Sequence, residues 1–328
     1  MRIVALEYIT GGGLEGKPLD PAMQQEGKMM LGALVAELAA IPGIKVTCTQ
    51  DRRLETPRLR ANFVTAHEGE SIWNLWSRII HDSDAVWPLA PETGGVLERL
   101  SQLARDSGRL LLGSSPSAVH LAGSKFATAE ILAMLDIPVV STQPASAPLS
   151  PSDSGWVAKP DDGVDAGDTW FFARDRELAR FLAGRDDQDR FVVQPFVPGF
   201  SASISALFRD GEAEVLSCNS QNVIHDGKRF SYRGGVVGAF EAARTDFERV
   251  AKGVAKALPG LFGYAGIDVI VTERGPVVLE VNPRLTTSYV GLGEALGCNV
   301  AALVLDLPAG NPIPKLRPRK KVLVQVNG

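Results

Sequence analysis

The sequence predicts a parallel α/β domain followed by two α+β lobes. Three observations support this prediction. Strands alternate with amphipathic helices over the first 112 residues, closely spaced strands dominate from Trp156 onward, and a short turn at 273–275 joins two strands near the end of the chain. Strict alternation is typical of a parallel sheet covered by helices on both faces. The predicted units are 1–112, 113–198 and 199–328, consistent with the two or three domains that 328 residues suggest.

The composition excludes several classes of protein. Hydrophobic residues make up 45% and charged residues 22% of the chain, as in ordinary globular proteins. The net charge of −4 gives no electrostatic reason to bind nucleic acid or an anionic membrane. No apolar run approaches the ~20 residues that span a bilayer, and the first residues lack the pattern of a signal peptide. We therefore expect a cytoplasmic protein, and a homodimer is compatible with the sequence.

Cysteines and histidines are dispersed along the chain. Cys48, Cys218 and Cys298 form no metal-binding spacing, either with one another or with a histidine. The sequence therefore predicts a reduced chain without a zinc site. The one basic cluster is interpreted as a solvated segment; it consists of Lys315, Arg317, Arg319, Lys320 and Lys321.

The first unit begins with a predicted strand at 2–9, which the glycines at 11–13 end. A helix is predicted after Asp20, because aspartate caps helices and Pro21 suits the first turn. Its apolar face consists of Met30, Leu31, Leu34, Val35 and Leu38. Further strands are predicted at 44–49, 85–87 and 109–112. A second helix, between the last two strands, carries Val96, Leu97, Leu100, Leu103 and Ala104 on one side.

The remaining elements follow from the same patterns. A helix is predicted from Ser124 to Leu135, and the Ser- and Pro-rich segment 141–155 is predicted as a surface connection. Strands at 156–159, 168–173 and 191–197 surround a helix at 175–183. The last unit has predicted strands at 201–208, 213–219, 235–240, 265–272 and 276–282, and a helix at 246–258.

The glycines after the first strand fit two nucleotide-binding patterns. Gly11, Gly13 and Gly16 match a dinucleotide-binding loop, and Gly11, Gly16 and Lys17 match a P-loop. Both mechanisms need a helix that opens at the loop. Pro18 occupies the Ser/Thr position of a P-loop, and the helix cannot begin before about Asp20. The pattern therefore favours a flexible loop. Such a loop lies at the sheet edge where α/β proteins bind ligands.

The strands at 265–272 and 276–282 carry a candidate metal site. Glu280 and Asn282 share one face of their strand because side chains alternate, and Asp268 can lie opposite them on the neighbouring strand. Three oxygen ligands on one face suit Mg²⁺, which completes its shell with waters and substrate phosphates. Arg284 continues the alternation and can reach a phosphate. The alternative is two amphipathic strands with a solvated polar face. It accounts less well for a carboxylate, an amide and a guanidinium that share one face opposite Leu279 and Val281, with Pro283 ending the strand.

Two lysines and one strand end suggest a nucleotide site. Lys159 ends a strand before a glycine-bearing loop, and Lys125 starts a helix. A positioned lysine and backbone N–H groups of such a loop can both bind phosphate. The strand that ends in Gln194 and Pro195 offers an apolar slot, with the Pro195 carbonyl and the Val197 N–H available to adenine. Taken alone, each lysine could be an ordinary surface residue, and the strand could be an ordinary strand of the core.

The order of these features resembles the ATP-grasp superfamily over residues 113–300. Its members bind ATP between two α+β lobes, phosphorylate a carboxylate and pass the acyl group to an amine. The resemblance therefore implies an ATP-grasp fold behind a small α/β domain. It also implies small-molecule carboxylate and amine substrates, with ATP and Mg²⁺ as cofactors. Mn²⁺ is expected to substitute for Mg²⁺.

The resemblance also implies residue roles. Lys125, Lys159, Gly163 and Gly167 would contact phosphates, and Asp268, Glu280 and Asn282 would bind the metal. Arg284 and Lys159 would stabilise the transferred phosphoryl group. Adenine would be held by Gln194, Pro195, Phe196 and Val197. Two positions depart from the family pattern: Ser201 replaces a frequent ribose-binding glutamate, and Asp165 adds a negative charge to the loop. The ribose contacts would then fall to Ser201, to Ser203 or to an acidic residue elsewhere.

Two short segments, Leu6–Gly13 and Ser231–Gly235, narrow the resemblance to the tyramine–glutamate ligases of methanofuran biosynthesis. This implies glutamate as the carboxylate and tyramine or tyrosine as the amine. Arg233 is then a candidate carboxylate or phosphate clamp, or else a hairpin-turn arginine. Glu7 would attract the ammonium group or accept its proton, unless it is a surface carboxylate. Tyr8 and Gly12 complete the candidate substrate contacts.

Other functions stay open from the sequence alone. The chain could join another amino acid or peptide. It could instead be an NAD-dependent oxidoreductase that uses the Gly11–Gly16 loop, or an ATP sensor with an inert transfer site. Stabilisation by NAD but not ATP would identify the oxidoreductase, and ATP binding without ADP release would identify the sensor.

Overall fold

The computed structural model describes residues 1–164 and 168–326, which form three sheets covered by helices. The first sheet has five parallel strands in the order β3-β2-β1-β4-β5. Its elements are, in chain order, β1 (Arg2–Glu7), α1 (Pro21–Ala39), β2 (Lys45–Thr49), β3 (Asn62–Val64), α2 (Ile72–His81), β4 (Ala85–Leu89), α3 (Val96–Asp106) and β5 (Leu110–Leu111). The predicted parallel α/β domain is thereby confirmed.

The first long helix shows why these residues fold as predicted. The Asp20 carboxylate accepts hydrogen bonds from the backbone N–H groups of Ala22 and Met23, and Pro21 occupies the first turn. Leu31, Leu34, Val35 and Leu38 are buried. They pack into one hydrophobic cluster with the first sheet and with residues 285–304 of the large lobe. The helix therefore joins the N-terminal domain to the rest of the molecule.

The middle of the chain forms a small lobe around a four-stranded antiparallel sheet of order β6-β9-β7-β8. Two helices lead into it, and a third packs against it. The elements are α4 (Pro116–Gly123), α5 (Lys125–Met134), β6 (Gln143–Pro144), β7 (Trp156–Pro160), β8 (Trp170–Phe172), α6 (Asp175–Ala183) and β9 (Phe191–Pro195). The Ser124 hydroxyl caps α5, as the sequence predicts.

The large lobe is a six-stranded antiparallel sheet of order β14-β13-β10-β11-β12-β15. Its elements are β10 (Phe200–Arg209), β11 (Glu212–His225), β12 (Phe230–Val237), α7 (Arg244–Ala257), β13 (Gly263–Thr272), β14 (Gly275–Asn282), α8 (Tyr289–Leu296), α9 (Val300–Asp306) and β15 (Val322–Gln325). β13 and β14 form the predicted hairpin, and α7 covers one face of the sheet. The two antiparallel lobes match the predicted α+β part of the fold.

Several elements differ from the sequence expectations. The strand expected at 235–240 runs from 230 to 237 and ends before Gly238, which adopts a φ of 77°. The loop after β1 forms hydrogen-bonded turns, in which Gly11 and Gly13 donate backbone hydrogen bonds to the carbonyls of Glu7 and Tyr8. The five charged residues of the basic segment are exposed, as predicted. The segment is followed by β15, which pairs with β12 and was not predicted. Among the described residues, four helices and three strands were not predicted: α2, α4, α8, α9, β3, β6 and β15.

Within the described ranges, no single helix is both long and apolar enough to cross a membrane. The one consecutive pair that reaches this length and composition together is bent by 93°.

Candidate functional site

A cavity of about 310 Å³ lies between the small and large lobes. Its walls come from β7, β9 and the start of the glycine-bearing loop on one side, and from β10 to β14 on the other. Most of the predicted nucleotide and metal residues line it: Lys125, Lys159, Gly163, Gln194, Pro195, Phe196, Val197, Ser201, Asp268, Glu280, Asn282 and Arg284. Gly167 and Asp165 lie outside the described residues.

The three predicted metal ligands lie side by side. Asp268 on β13 is the cross-strand partner of Glu280 on β14, and Asn282 follows two residues later on the same face. The two Asp268 carboxylate oxygens accept hydrogen bonds from Gln221 Nε2 at 2.9 Å and from Asn282 Nδ2 at 3.2 Å. These two amides fix the orientation of the carboxylate.

Burial and neighbouring charges together determine the pKa values of the two carboxyls in this cluster. Burial, followed by the charge of Glu280, raises the pKa of Asp268. Burial alone would also raise the pKa of Glu280, but Lys125 and Lys159 outweigh it and hold that pKa below its ordinary value. A divalent cation would stabilise both ionised carboxylates. No group of three or more His, Cys, Asp or Glu in the described chain could hold a metal, so the Asn282 amide would have to be the third donor.

The two lysines converge on one carboxylate. Lys125 Nζ and Lys159 Nζ each lie 3.5 Å from Glu280 Oε2. Lys125 also donates to the carbonyl of Gly163 at 2.6 Å, which connects the start of α5 to the glycine-bearing loop. Burial lowers the pKa of Lys159 to about 8. Both ammonium groups thus lie beside the carboxylate cluster, where phosphates bridging a metal and the loop would bind.

The end of β9 and the facing strands form an apolar slot. Pro195, Phe196 and Val197 line it from the small lobe, and Ile270 and Leu279 line it from the large lobe. This slot has the character that an adenine ring requires. The Gln194 side chain itself donates to the Thr142 hydroxyl at 2.8 Å, so it anchors β9 to the preceding connection.

Arg284 has a partner that the sequence analysis missed. Its Nε donates to both carboxylate oxygens of Glu92, at 3.1 and 3.0 Å. Glu92 lies in the loop after β4, so the N-terminal domain contributes to this part of the site. The side chains are only 12% and 6% exposed. No local sequence signal indicates a contact between residues so far apart in the chain.

The predicted substrate residues do not come together. Glu7 is buried, so it is not a surface carboxylate; it accepts hydrogen bonds from the Ile9 N–H and from the N–H and hydroxyl of Thr10. Burial raises the pKa of Glu7 against the effect of these bonds. Glu7 lines a small pocket of about 40 Å³ that shares Val164 and Arg284 with the main cavity.

Tyr8, Gly12 and Arg233 lie outside both of these pockets. Tyr8 packs against Trp76 in the core of the N-terminal domain, with ring centroids 6.0 Å apart. Gly12 lines a separate pocket on the N-terminal domain. Arg233 is exposed on β12, next to Tyr232, which does line the cavity. Neighbouring residues of a strand point to opposite faces, so the strand directs Arg233 away from the cavity.

Other side chains of the cavity were also missed by the sequence analysis. Gln221 and Tyr232 lie on β11 and β12, and His225 stacks on Phe230 at 4.7 Å near Phe196. Alternation along β11 would have placed Gln221 and His225 on one face, had the strand been recognised beyond residue 219.

Comparisons with known proteins agree with this geometry. A family model described as an ATP-grasp domain matches residues 122–288, and a pre ATP-grasp domain model matches residues 44–119. The chain is 26% identical over 298 residues to tyramine–L-glutamate ligase of Methanocaldococcus jannaschii, covering 88% of this chain and 84% of that protein.

Two solved structures share the fold. A protein from Archaeoglobus fulgidus assigned to the ATP-grasp superfamily is 22% identical, with a TM-score of 0.72 over 100% of this chain and 99% of that one. An L-amino acid ligase from Bacillus licheniformis is 19% identical, with a TM-score of 0.69 over 98% of this chain and 78% of that one.

Proposed function

The chain belongs to the ATP-grasp family, and we propose that it joins the carboxylate of glutamate to the amine of tyramine through an acyl phosphate. It is an ATP-dependent ligase that forms carbon–nitrogen bonds. The choice of glutamate and tyramine rests on the similarity to tyramine–L-glutamate ligase along most of the chain. Its product would serve methanofuran-type cofactor synthesis.

The observation that carries the proposed chemistry is the convergence of Lys125, Lys159 and the carboxylate cluster in the inter-lobe cavity. Adenine would occupy the apolar slot at the end of β9, and the phosphates would extend toward the two lysines. Asp268, Glu280 and Asn282 would hold Mg²⁺, which when bound neutralises charge on the phosphates. Mn²⁺ would substitute because it accepts the same oxygen ligands.

Phosphoryl transfer would then depend on positioned charge. The glutamate carboxylate would attack the γ-phosphate in line, while Lys159 and Arg284 stabilise negative charge on the transferred group. The carboxylate displaces ADP and forms the acyl phosphate. The ammonium group first gives up one proton to become a neutral amine, whose nitrogen attacks the acyl carbon. Phosphate leaves and the nitrogen gives up a second proton to solvent, so the products are the amide, ADP and phosphate.

The amine would approach from the N-terminal domain. The small pocket there has apolar walls that include Met23, Met30 and Leu89, and it shares Arg284 with the main cavity. Glu26 lines this pocket and accepts a hydrogen bond from the Thr287 hydroxyl at 3.3 Å. Its carboxylate would attract a cationic amine, a role that the sequence analysis gave to Glu7. Glu7 lines the same pocket, but its carboxylate already accepts hydrogen bonds from the N–H groups of Ile9 and Thr10, so we propose Glu26 for this role.

The test of this proposal is a substrate panel. The protein is incubated with ATP and Mg²⁺, with glutamate and either tyramine or tyrosine, and the amide is sought by mass spectrometry. We expect the glutamyl amide together with ADP. ADP release only with another carboxylate–amine pair would overturn the substrates and leave the ligase. ATP binding without ADP release from any pair would favour the sensor, and stabilisation by NAD alone would favour the oxidoreductase.

A further inference from the structure

We infer that Glu92 is a positioning residue for phosphoryl transfer: through its ion pair with Arg284, the N-terminal domain sets the orientation of the guanidinium group that faces the transferred phosphoryl group. This inference rests on the proposed function, because it assigns Arg284 to that step. The N-terminal domain would then contribute to transfer of the γ-phosphoryl group, in addition to binding the amine substrate.

The geometry of the pair limits how Arg284 can move. Both Glu92 oxygens accept from Nε, and the Leu285 carbonyl accepts from Nη1 at 3.2 Å. An arginine side chain has several rotatable bonds, so a fixed Nε and a fixed Nη1 together define the plane of the guanidinium. Arg284 lines both the main cavity and the small pocket, at the point where phosphate and carboxylate would meet.

The two residues after Glu92 form hydrogen bonds to the small lobe. The Thr93 hydroxyl donates to the Asp162 carbonyl at 2.7 Å, and the Gly94 N–H donates to the Asp162 carboxylate at 2.9 Å. Asp162 lies at the start of the glycine-bearing loop, next to the Gly163 carbonyl that Lys125 binds. The segment Glu92–Gly94 therefore contacts the large lobe through Arg284 and the small lobe through Asp162. A segment with both contacts can fix the arginine relative to the phosphate loop.

Glu92 is suited to position Arg284 and not to react itself. Its side chain is 6% exposed and both its oxygens face the guanidinium. A displaced catalytic cation is costly, since misplacement by 1 Å can lower a rate about 100-fold. Removal of the Glu92 charge should therefore reduce transition-state binding and leave ATP binding, which depends on the lysines and the apolar slot, almost unchanged.

The experiment compares the full-length wild type with Glu92→Gln, Arg284→Met and the double variant. Glu98→Gln is the control, because Glu98 lies on the same domain and pairs with the exposed His120. Calorimetry measures the affinity for ADP alone and for orthovanadate in the presence of ADP and Mg²⁺, where vanadate stands in for the transferred phosphoryl group. These probes require no knowledge of the carboxylate or the amine. Melting temperatures identify any variant that fails to fold.

We expect Glu92→Gln to weaken vanadate binding about 10-fold or more, with ADP affinity within about twofold of the wild type. In the Arg284→Met background, Glu92→Gln should add no further loss, because the residue acts through Arg284. The double variant buries no unpaired charge, so it keeps the comparison valid if a single variant unfolds.

Three outcomes would overturn the inference. The first is unchanged vanadate binding by folded Glu92→Gln, with wild-type turnover intact; this leaves the proposed function standing. The second is an equal loss of ADP and vanadate affinity, which identifies a purely structural role. The third is absence of vanadate binding by the wild type in the presence of ADP and Mg²⁺, which overturns the inference because Arg284 then faces no phosphoryl site; the proposed function is tested separately by amide formation in the substrate panel.

Discussion

Lys159 offers the sharpest test of the nucleotide site. The Lys159→Met variant removes a buried ammonium group and retains a side chain of similar length. Burial lowers the pKa of Lys159 from its ordinary 10.5 to about 8. That difference corresponds to a cost of about 3 kcal/mol for keeping the charge in the folded protein at neutral pH. Glu280 keeps Lys125 at 3.5 Å after the substitution, so this carboxylate is not left without a cation. We therefore expect no loss of stability.

The same substitution should, in contrast, weaken nucleotide binding. One charge-assisted contact with a phosphate contributes roughly 1.5–3 kcal/mol, so the dissociation constant for a non-hydrolysable ATP analogue with Mg²⁺ should rise about 10- to 100-fold. Isothermal titration calorimetry measures it, with Lys256→Met as an exposed-lysine control. Unchanged affinity in folded Lys159→Met, or an equal loss in the control, would refute the assignment of Lys159 to the phosphates.

Three further predictions concern the metal site and stability. Glu280→Gln should reduce turnover far more than ATP binding, because the amide cannot supply a charged metal ligand; full turnover with unaltered Mg²⁺ and Mn²⁺ dependence would remove Glu280 from the site. Gly27→Ala should lower the melting temperature, since its methyl group would lie 2.8 Å from the Glu7 carboxyl, whereas Gly32→Ala on the same helix meets open space and should stabilise the protein by about 1 kcal/mol. Burial raises the pKa of Glu37, so just above pH 4.5 this carboxyl binds more protons in the folded than in the unfolded chain; its contribution to the free energy of unfolding should therefore fall as the pH rises through this range, and urea denaturation should show that the stability of the wild type relative to Glu37→Gln declines over the same pH interval.

The sequence predicted the β13–β14 hairpin and the proximity of its three polar side chains because both depend on local features of the chain. Asp268, Glu280 and Asn282 lie within one two-stranded unit, and side-chain alternation with a short turn suffices to bring them together. The same holds for the cap at Asp20 and for the lysine at the end of β7. Most elements whose apolar residues show one clear period could be located from the sequence; α2 was overlooked although its buried residues Ile72, Leu75, Trp76, Ile79 and Ile80 follow the helical spacing.

The features that escaped prediction depend on contacts between distant segments. The pair of Glu92 and Arg284 joins two domains, and neither residue stands in a pattern that indicates the other. Arg233 was assigned to the substrate from its neighbours in sequence, but its face depends on the exact extent of β12. β15 pairs with β12 beside Gly234, where an added Cβ would lie 2.1 Å from the Val324 carbonyl oxygen. A sequence alone does not reveal such a pairing.

We propose that this ligase activates a carboxylate as an acyl phosphate in the cavity between the lobes. The most direct measurement uses glutamate labelled with ¹⁸O in its carboxylates, together with ATP, Mg²⁺ and tyramine. An acyl-phosphate route transfers one carboxylate oxygen to the released phosphate, so mass spectrometry should find one ¹⁸O in phosphate, with unlabelled ADP. Label in AMP, with pyrophosphate as the other product, would contradict the account, as would amide formation that leaves the phosphate unlabelled.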